Sequence, residues 1–192
     1  MQVLEGKYRR RRLHSSNSQR VRPTARRLRE ITFEILDARI LDARLLDLCA
    51  GSGAIGIEAL SRGASHVTFV DRSLKMCRFI ETNLQLCGVP DEQSLIVQSE
   101  AVEFLRGRQM RKAQSWDVAF YDPPYNSDYD LALKLFGNGA LLKRHGGVLV
   151  VEHHCERQFA EQIGSLFRQR VLRLGDSCLS FYESRHKVKH AN

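Results

Sequence analysis

Long hydrophobic runs are absent from this sequence of 192 residues. The longest purely aliphatic stretch, Val148–Val151, has only the length of a β-strand, so we expect no segment that spans a membrane. The basic N-terminus is not followed by an apolar region, and we do not expect it to be a secretory signal. An apolar fraction of 43% and a charged fraction of 27% are ordinary for a globular protein. These features predict a cytoplasmic protein with one sizeable domain.

Cysteine is scarce and follows no recognisable pattern. The five cysteines are scattered and include no C-x-x-C pair: Cys49, Cys77, Cys87, Cys155 and Cys178. Their odd number and spacing predict reduced thiols in a cytosol, rather than a disulfide framework or a zinc knuckle. His153, His154 and Cys155 are consecutive, a spacing that suits metal ligation on neither a helix nor a strand. We therefore expect no metal site.

The positive charge of the sequence lies at its N-terminus. The net charge is +8, and residues 1–30 alone contain ten basic and two acidic side chains. The remaining 162 residues contain twenty of each and are neutral. A solvated, disordered tail is one interpretation of such a run. A partly ordered basic arm that binds the phosphate backbone of a nucleic acid is the interpretation we favour.

Apolar residues within the basic arm predict local order. Tyr8 and Leu13 interrupt the first run of arginines. Pro23 suits the first turn of a helix, and four apolar residues then recur on one helical face: Leu28, Ile31, Ile35 and Leu36. The opposite face carries Arg22, Arg26 and Arg29. We expect these arginines to face the nucleic acid.

Short apolar runs alternate with helical patterns from Arg44 onward. The apolar runs predict strands at 45–49, 66–71, 94–98, 116–121 and 146–153, followed by two closing strands near 167–174 and 178–183. Helices are predicted near 54–62, 73–87, 100–110, 128–137 and 155–165. This alternation predicts an α/β fold with a mostly parallel sheet covered on both faces. The two closing strands have no helix between them, which allows a hairpin.

The first predicted strand ends in a glycine-rich loop, LDLCAGSGAIG. Gly51, Gly53 and Gly56 have the G-x-G-x-x-G spacing, which lets the backbone turn tightly and approach a ligand at a helix N-terminus. Asp71 ends the second strand twenty residues after Gly51, where an acid can bind a ribose hydroxyl. These features fit a nicotinamide dinucleotide and a nucleoside cofactor equally well.

Asp47 separates these two cofactor classes. A carboxylate just before the glycine turn would repel a pyrophosphate but attract a cationic amino group. S-adenosylmethionine has a ribose, an adenine, a sulfonium and an ammonium but no phosphate, so we favour it. A simpler role for Asp47 is a hydrogen bond to the loop amides. After the third strand, Ser99 and Glu100 are candidates to contact the adenine amine, although Glu100 also suits the first turn of its helix.

The fourth strand ends in an acid, two prolines and a tyrosine, YDPPY. In a 3-2-1-4-5 order this corner lies beside the first strand, near the transferable methyl group. Asp122 is expected to accept hydrogen bonds from an exocyclic amine, whose lone pair is otherwise delocalised into its base. Pro123 and Pro124 would hold a carbonyl towards the pocket, and Tyr125 would stack on the base. The corner predicts transfer of a methyl group to an exocyclic amine, mostly through alignment of the reactants.

These motifs resemble the RsmD family of bacterial 16S ribosomal RNA guanine-N2 methyltransferases, which are class I methyltransferases. The similarity runs nearly end to end, through GKYRRRRL, VRPTARRLREITFEIL, LDLCAGSGAIGIEALSRGASHVTFVD, YDPPY, GGVLVVEH and LGDSCLSFYE. The resemblance implies a Rossmann-like fold with a mostly parallel seven-stranded sheet, its last strand antiparallel. It also implies S-adenosylmethionine as cofactor and methylation of N2 of guanine 966 in 16S rRNA, during maturation of the small subunit.

The resemblance further implies roles for individual residues. The cofactor site would contain Asp47, Ala50, Gly51, Ser52, Gly53, Asp71, Arg72, Glu100 and Ala101. The catalytic residues would be Asp122, Pro123, Pro124 and Tyr125. RNA would be bound by Arg9, Arg10, Arg11, Arg12, Arg22, Thr24 and Arg26. The sequence then divides into a basic arm with its helix at 1–40, a methyltransferase domain at 41–184 and a short basic tail at 185–192.

Three positions depart from the family pattern. Arg10 stands where the family usually has a glycine between basic residues, which affects the expected conformation of the arm. Cys49 replaces a common phenylalanine beside the glycine loop. Glu100 stands where aspartate is usual and is one methylene longer. None of the three belongs to the YDPPY corner.

Three other functions remain open at this point. The same corner suits methylation of adenine N6 in RNA or DNA, because that amine is also conjugated to a purine. Methylation of a protein glutamine typically uses asparagine at the position of Asp122 and would not need the arm. A non-catalytic RNA-binding module is the third alternative, although an intact loop and corner speak against it. The expected partner is 16S rRNA, a 30S particle or an assembly intermediate, with the protein as a monomer.

Overall fold

The computed structural model describes residues 1–15, 23–110, 115–124, 127–138 and 140–185, with the backbone alone for residues 23–25. Within these ranges the strands are β1 (Arg44–Leu48), β2 (His66–Asp71), β3 (Ser94–Gln98), β4 (Val118–Tyr121), β5 (His145–His154), β6 (Gln162–Ile163), β7 (Leu166–Leu174) and β8 (Ser177–Arg185). The α-helices are α1 (Pro23–Leu36), α2 (Ala54–Ser61), α3 (Leu74–Cys87), α4 (Ala101–Met110) and α5 (Tyr129–Asn138).

All of these strands belong to one sheet, in the order β3-β2-β1-β4-β5-β8-β7-β6. Strands β1 to β5 pair in parallel. Strand β8 lies antiparallel to β5, and β7 is antiparallel to β8. The predicted Rossmann-like α/β fold, the 3-2-1-4-5 order and the closing hairpin are confirmed. The strand order reverses between β1 and β4, which leaves a ligand-binding crevice at the carboxyl ends of these strands.

Two hydrophobic clusters cover the two faces of the sheet. Leu45 belongs to one cluster and Leu46 to the other, as the two-residue period of a strand requires. The first cluster receives side chains from α1, α2 and α3, and the second from α4 and α5. Helices therefore cover both faces, as predicted. In the part of the chain that the structure describes, none of the helices has the length and apolar character needed to cross a membrane.

The prediction of a helix near 155–165 is wrong, and the sheet has eight strands among the described residues instead of the seven expected. The spacing of Phe159 and Ile163 resembles a helical face, but tertiary contacts hold this segment in turns and the short strand β6. The ring of Phe159 packs against those of Tyr129 and His153, with centroids 5.4 and 4.8 Å apart. Gly164 then adopts a φ of +58°, which interrupts a right-handed helix.

The prediction of reduced thiols is also wrong for two of the cysteines. Cys155 and Cys178 form a disulfide that links the end of β5 to β8, with Cα atoms 5.0 Å apart. The antiparallel register explains this contact, because Cys178 pairs with His153, two residues before Cys155 in the chain. Cys49, Cys77 and Cys87 are free.

Residues 1–15 form an ordered unit, which we call the N-terminal segment. It folds back on itself through a bridge between residues 2 and 12. Val3, Tyr8 and Leu13 are buried in the first hydrophobic cluster. The Glu58 carboxylate of α2 accepts hydrogen bonds from the amides of residues 4 and 5, at 2.7 and 3.0 Å, and the Ser61 hydroxyl accepts one from Tyr8 at 2.9 Å. Order therefore extends further towards the N-terminus than the apolar pattern predicts.

Helix α1 begins at the predicted Pro23 but does not expose all of its arginines. Arg29 is only 4% exposed, and its Nη2 donates a hydrogen bond of 2.6 Å to the carbonyl oxygen of Gln2. The prediction that Arg29 faces a nucleic acid is therefore wrong, because the guanidinium turns towards the N-terminal segment instead. Arg26 is exposed, and its Nε lies 2.8 Å from Glu30.

Candidate active site

A cleft of about 980 Å³ opens at the carboxyl edge of the sheet. Residues at or just after the ends of β1 to β5 line it. They include Cys49, Asp71, Glu100, Asp122 and Glu152. The apolar part of its wall comes mainly from Val70, Met76, Ala101 and Val102. The cleft therefore lies at the switch point of the sheet and combines an apolar wall with several carboxylates.

The three glycines of the loop have two different roles. Gly51 and Gly53 have φ angles of +54° and +76°, which only glycine adopts without strain. Gly56 has ordinary backbone angles, but a Cβ atom there would lie 2.2 Å from Cε1 of Phe69 on β2. The first two glycines thus form the turn, and the third lets α2 pack closely against the sheet.

Asp47 lies beneath this loop and is only 2% exposed. Its Oδ2 accepts a hydrogen bond of 2.9 Å from the amide of Gly56. Burial raises the pKa of the Asp47 carboxyl from 3.8 to about 7; the Gly56 hydrogen bond opposes this rise, and the charge of Asp71 adds to it. Among the described residues that line the cleft, Asp47 and the loop residues 50–53 do not appear. Their direct contact with a cofactor stays a prediction.

Asp71 joins the glycine loop to the start of α3. Its Oδ2 accepts a hydrogen bond of 2.8 Å from the Gly51 amide, and its Oδ1 accepts one of 2.8 Å from the Ser73 amide. A carboxylate has about four lone pairs, so Asp71 keeps capacity for further donors. It lines the cleft, and its predicted contact with ribose hydroxyls fits this position.

Arg72, Glu100 and Ala101 also line the cleft. Arg72 Nη1 and Glu100 Oε1 are 3.6 Å apart, with side chains 68% and 63% exposed. A pair this exposed adds little to stability, so both side chains are available to a ligand. Ser99 lies beside them and donates a hydrogen bond from its hydroxyl to the backbone oxygen of Glu100 at 3.1 Å.

The YDPPY corner begins where β4 ends. The amide of Asp122 donates to the Leu48 carbonyl of β1 at 3.3 Å, which fixes this residue beside the glycine loop. The buried Tyr129 hydroxyl donates to the Pro123 carbonyl at 3.4 Å. Pro124 lines the cleft with Asp122 and Pro123. Tyr125 lies outside the described residues, so its predicted stacking role stays a prediction.

A second carboxylate, Glu152, stands next to Asp122. Tyr121 of β4 pairs with Val151 of β5, so the next residues, Asp122 and Glu152, lie side by side. Neighbouring strands are about 4.8 Å apart. Both line the cleft. The Asp122 side chain is exposed on the side that faces the cleft and packed against protein on its other sides. Burial of the carboxyl raises the pKa of Asp122, and the charges of Glu152 and Asp47 raise it further. Burial also raises the pKa of Glu152, and a hydrogen bond from Ser177 opposes that rise.

The cleft contains a thiol that is not suited to act as a nucleophile. Cys49 has a φ of +66° and lines the cleft. Burial, followed by the charges of Asp71 and Asp122, raises the pKa of this thiol to about 12. Because the thiolate is the reactive form, Cys49 stays inert at neutral pH. The chemistry of the cleft therefore rests on its carboxylates.

The N-terminal segment presents a basic surface. Its four consecutive arginines, Arg9, Arg10, Arg11 and Arg12, are all exposed. Arg10 has a φ of +68°, so the left-handed conformation expected of a glycine is kept despite the arginine. Arg22 lies outside the described residues, as does the side chain of Thr24.

Asn83 of α3 connects the N-terminal segment to the glycine loop. Its Oδ1 accepts a hydrogen bond of 2.7 Å from the His14 amide. Its Nδ2 donates to the carbonyl oxygens of His14 and Ser52, at 3.0 and 2.9 Å. This buried side chain therefore links the N-terminal segment, which carries the basic surface, to the glycine loop.

Comparison with known proteins identifies one family for nearly the whole chain. Residues 1–183 match the family described as "Conserved hypothetical protein 95". The Haemophilus influenzae protein named "Ribosomal RNA small subunit methyltransferase D" is 35% identical over 126 residues, which cover 66% of this chain and 64% of that protein. The chain belongs to the RsmD family.

Other comparisons extend the similarity over nearly the full length of the chain. YlbH of Bacillus subtilis (strain 168) is 30% identical over 185 residues, which cover 96% of this chain and 100% of YlbH. The solved structure of yhhF from Escherichia coli has a TM-score of 0.83 at 27% identity and covers 97% of this chain and 99% of that one. The resemblance read from the motifs is thereby confirmed.

Sequence reasoning located most of this RsmD-family cleft but missed Glu152. The cleft brings together seven of the predicted site residues: Asp71, Arg72, Glu100, Ala101, Asp122, Pro123 and Pro124. Glu152 was read only as part of the strand GGVLVVEH. A usable signal existed, because an acid at the end of the fifth strand must lie beside one at the end of the fourth in a 3-2-1-4-5 sheet.

Proposed function

We propose that this protein methylates the exocyclic N2 of guanine 966 in 16S ribosomal RNA, with S-adenosylmethionine as the methyl donor. The observation that carries the proposal is the position of Asp122, which lines the same cleft as Asp71 and Glu100, the residues proposed to bind the cofactor. Membership of the RsmD family supports an rRNA substrate. We also propose that the protein acts as a monomer in the cytoplasm, on free rRNA or on a small-subunit particle.

The residues of the cleft fit the cofactor. Bound S-adenosylmethionine supplies a methyl group activated by a positively charged sulfur. In this proposal Asp71 binds the ribose and Glu100 binds the adenine, and the fact that both line the cleft supports these roles. Val70, Met76 and Val102 contribute an apolar wall. Gly51 leaves open space where a side chain would project. The buried carboxylate of Asp47 contributes negative charge beneath the loop, which suits a cation and disfavours a pyrophosphate.

Asp122 acts on the amine of the base. Its carboxylate accepts a hydrogen bond from the N2 amine, which orients the nitrogen and favours exposure of its lone pair. Methylation would give the amine nitrogen a bond to carbon in place of one to hydrogen, and Asp122 would be the group that takes the released proton. The raised pKa of Asp122 makes this carboxylate a stronger proton acceptor than an ordinary aspartate.

The basic surface of the N-terminal segment supplies the binding energy for RNA. Exposed arginines neutralise phosphates and release counterions, so affinity should fall steeply with salt concentration. Bringing a stacked guanine into the cleft costs a few kcal/mol, roughly, unless the base is already unstacked. The family-derived contacts of Arg9 to Arg12, Arg22, Thr24 and Arg26 are part of this proposal.

Purified protein incubated with labelled S-adenosylmethionine and unmodified rRNA, free and in 30S particles, tests the proposal. We expect N2-methylguanosine at position 966 on analysis of the labelled nucleoside and its position. Asp122→Asn should reduce the rate by roughly 100-fold or more, as expected for loss of a group that contacts the reacting atoms. Exposed Asp130→Asn removes the same charge outside the cleft and should leave the rate unchanged.

The remaining functions give different outcomes in the same assay. N6-methyladenosine would show that the corner selects adenine and would overturn the guanine proposal. Label confined to protein would indicate a glutamine substrate. Cofactor binding without turnover on any RNA would indicate a non-catalytic RNA-binding module.

A further inference from the structure

The base that enters the cleft meets two carboxylates, and the proposed reaction uses only one of them. Asp122 accepts a hydrogen bond from the amine, whereas Glu152 has no assigned role. An ionised carboxylate accepts hydrogen bonds and donates none. Glu152 should therefore face a donor on the substrate.

Guanine is the common base that offers such a donor beside its amine. Its N2 amine adjoins the protonated ring nitrogen N1. The N6 amine of adenine and the N4 amine of cytosine each adjoin a ring nitrogen that only accepts. Two neighbouring carboxylates can each accept a hydrogen bond from one of two adjacent donors, as guanine provides. With adenine or cytosine, one carboxylate would face an acceptor, and both of these groups would be left without a hydrogen bond.

The order of the strands gives the pair a direction. Strand β1 carries the glycine loop, β4 carries Asp122, and β5 carries Glu152. The reacting amine must lie nearest the cofactor side, and the ring nitrogen N1 lies two bonds further away, on the other side of C2. The two carboxylates lie in the same order across the sheet, with Asp122 nearer to the glycine loop and Glu152 further from it.

We propose that Glu152 is a specificity-determining residue that accepts the N1–H hydrogen bond of guanine while Asp122 accepts one from N2. This inference rests on the proposed guanine-N2 activity and assigns the group that selects guanine over adenine. Glu152 makes no contact with the transferred methyl in this arrangement. It acts by holding the base in register.

Neighbouring groups hold Glu152 in place for this role. The Ser177 hydroxyl donates a hydrogen bond to its carboxylate. The buried Tyr129 hydroxyl lies 3.3 Å from its backbone oxygen and 3.4 Å from that of Pro123. One tyrosine thus contacts the backbone beside both carboxylates. Binding groups fixed in this way lose little freedom when the base arrives.

Replacement of the target guanine by 2-aminopurine tests the inference directly. This base keeps the amine at C2 but has an unprotonated N1, which accepts instead of donating. Methylation rates of both RNAs are compared for the wild type and for Glu152→Gln, whose amide both accepts and donates. We expect the preference for guanine over 2-aminopurine to fall by roughly 10- to 100-fold in the variant, as for loss of a charged hydrogen bond.

Two further measurements exclude a merely structural effect. Glu156→Gln removes the same charge four residues away, at a side chain that is 91% exposed, and should keep the wild-type preference. Equilibrium affinities for the two RNAs should shift in the same direction as the rates, with affinity for the cofactor unchanged. Comparing preferences cancels the intrinsic difference in reactivity between the two amines.

The outcomes separate this inference from the proposed function. Wild-type formation of N2-methylguanosine together with an unchanged preference in Glu152→Gln would overturn the role of Glu152 and leave the reaction standing. Equal losses on both RNAs would also overturn it, because a loss of structure or of general charge affects both. If the wild type instead methylates adenine, the guanine proposal fails first and this inference fails with it.

Discussion

Replacing Asp47 by asparagine should stabilise the protein above neutral pH. Asp47 is 2% exposed, and burial raises the pKa of its carboxyl from 3.8 to about 7. At pH 8 the folded protein therefore contains a buried charge that the unfolded chain leaves in water. Asparagine removes that charge, and its side-chain oxygen still accepts the hydrogen bond from Gly56.

The sign and the size of this effect follow from proton binding. Between about pH 4 and pH 7 the folded state holds a proton on Asp47 that the unfolded state has lost, so the contribution of Asp47 to stability falls as pH rises through this window. At about 1.36 kcal/mol per pH unit, a pKa of about 7 against 3.8 corresponds to about 4 kcal/mol. The advantage of Asp47→Asn should be near zero at about pH 4 and greatest above about pH 7.

Urea unfolding of the wild type and the variant at several pH values between about 4 and 8 measures this difference. Other titrating groups are common to both proteins and cancel. Exposed Asp91→Asn should show a difference near zero throughout. A difference for Asp47→Asn that does not change with pH, or that favours the wild type at pH 8, would refute the reasoning. Weaker cofactor binding by the more stable variant would show that the buried charge serves the ligand.

Two further predictions concern the loop and the reaction. Gly56→Ala should lower the free energy of unfolding by about 1–3 kcal/mol, because the new Cβ would lie 2.2 Å from the Phe69 ring. As a control, Gly107→Ala in α4 should be neutral or stabilising, because its Cβ would have no atom within 4 Å. Equal urea midpoints for the two variants would contradict this prediction. The methylation rate should fall as the pH is lowered, because the reaction requires ionised Asp122. Burial and the charges of Glu152 and Asp47 raise the pKa of Asp122, so the fall should begin at a higher pH than for an ordinary aspartate. A rate that stays constant down to the ordinary aspartate range would contradict this prediction.

The parallel core and the loop could be predicted because their determinants are local. The strand predictions at 66–71 and 94–98 match β2 and β3 in full, since short apolar runs bounded by turn residues mark strands. The glycine spacing also suffices to predict the loop, because two positive φ angles and one close packing contact each require glycine.

The features that sequence reasoning missed depend on contacts between distant residues. The Cys155–Cys178 disulfide spans 23 residues and follows from the β5–β8 register, which no cysteine spacing reveals. Residues 155–165 resemble a helix locally, but contacts at this edge of the sheet hold them in turns and the short strand β6. Glu152 gains its importance only from Asp122, which lies thirty positions earlier in the chain.

Asn83 gives the two halves of the proposed reaction a common point of attachment. Its amide holds His14 of the N-terminal segment and Ser52 of the glycine loop at the same time. A ligand that shifts the N-terminal segment or the glycine loop would move Asn83, which is hydrogen-bonded to both. By thermodynamic reciprocity, whatever RNA binding changes in cofactor affinity, cofactor binding must change by the same factor in RNA affinity. One buried amide is thus shared by the two elements that are proposed to bind the RNA and the cofactor.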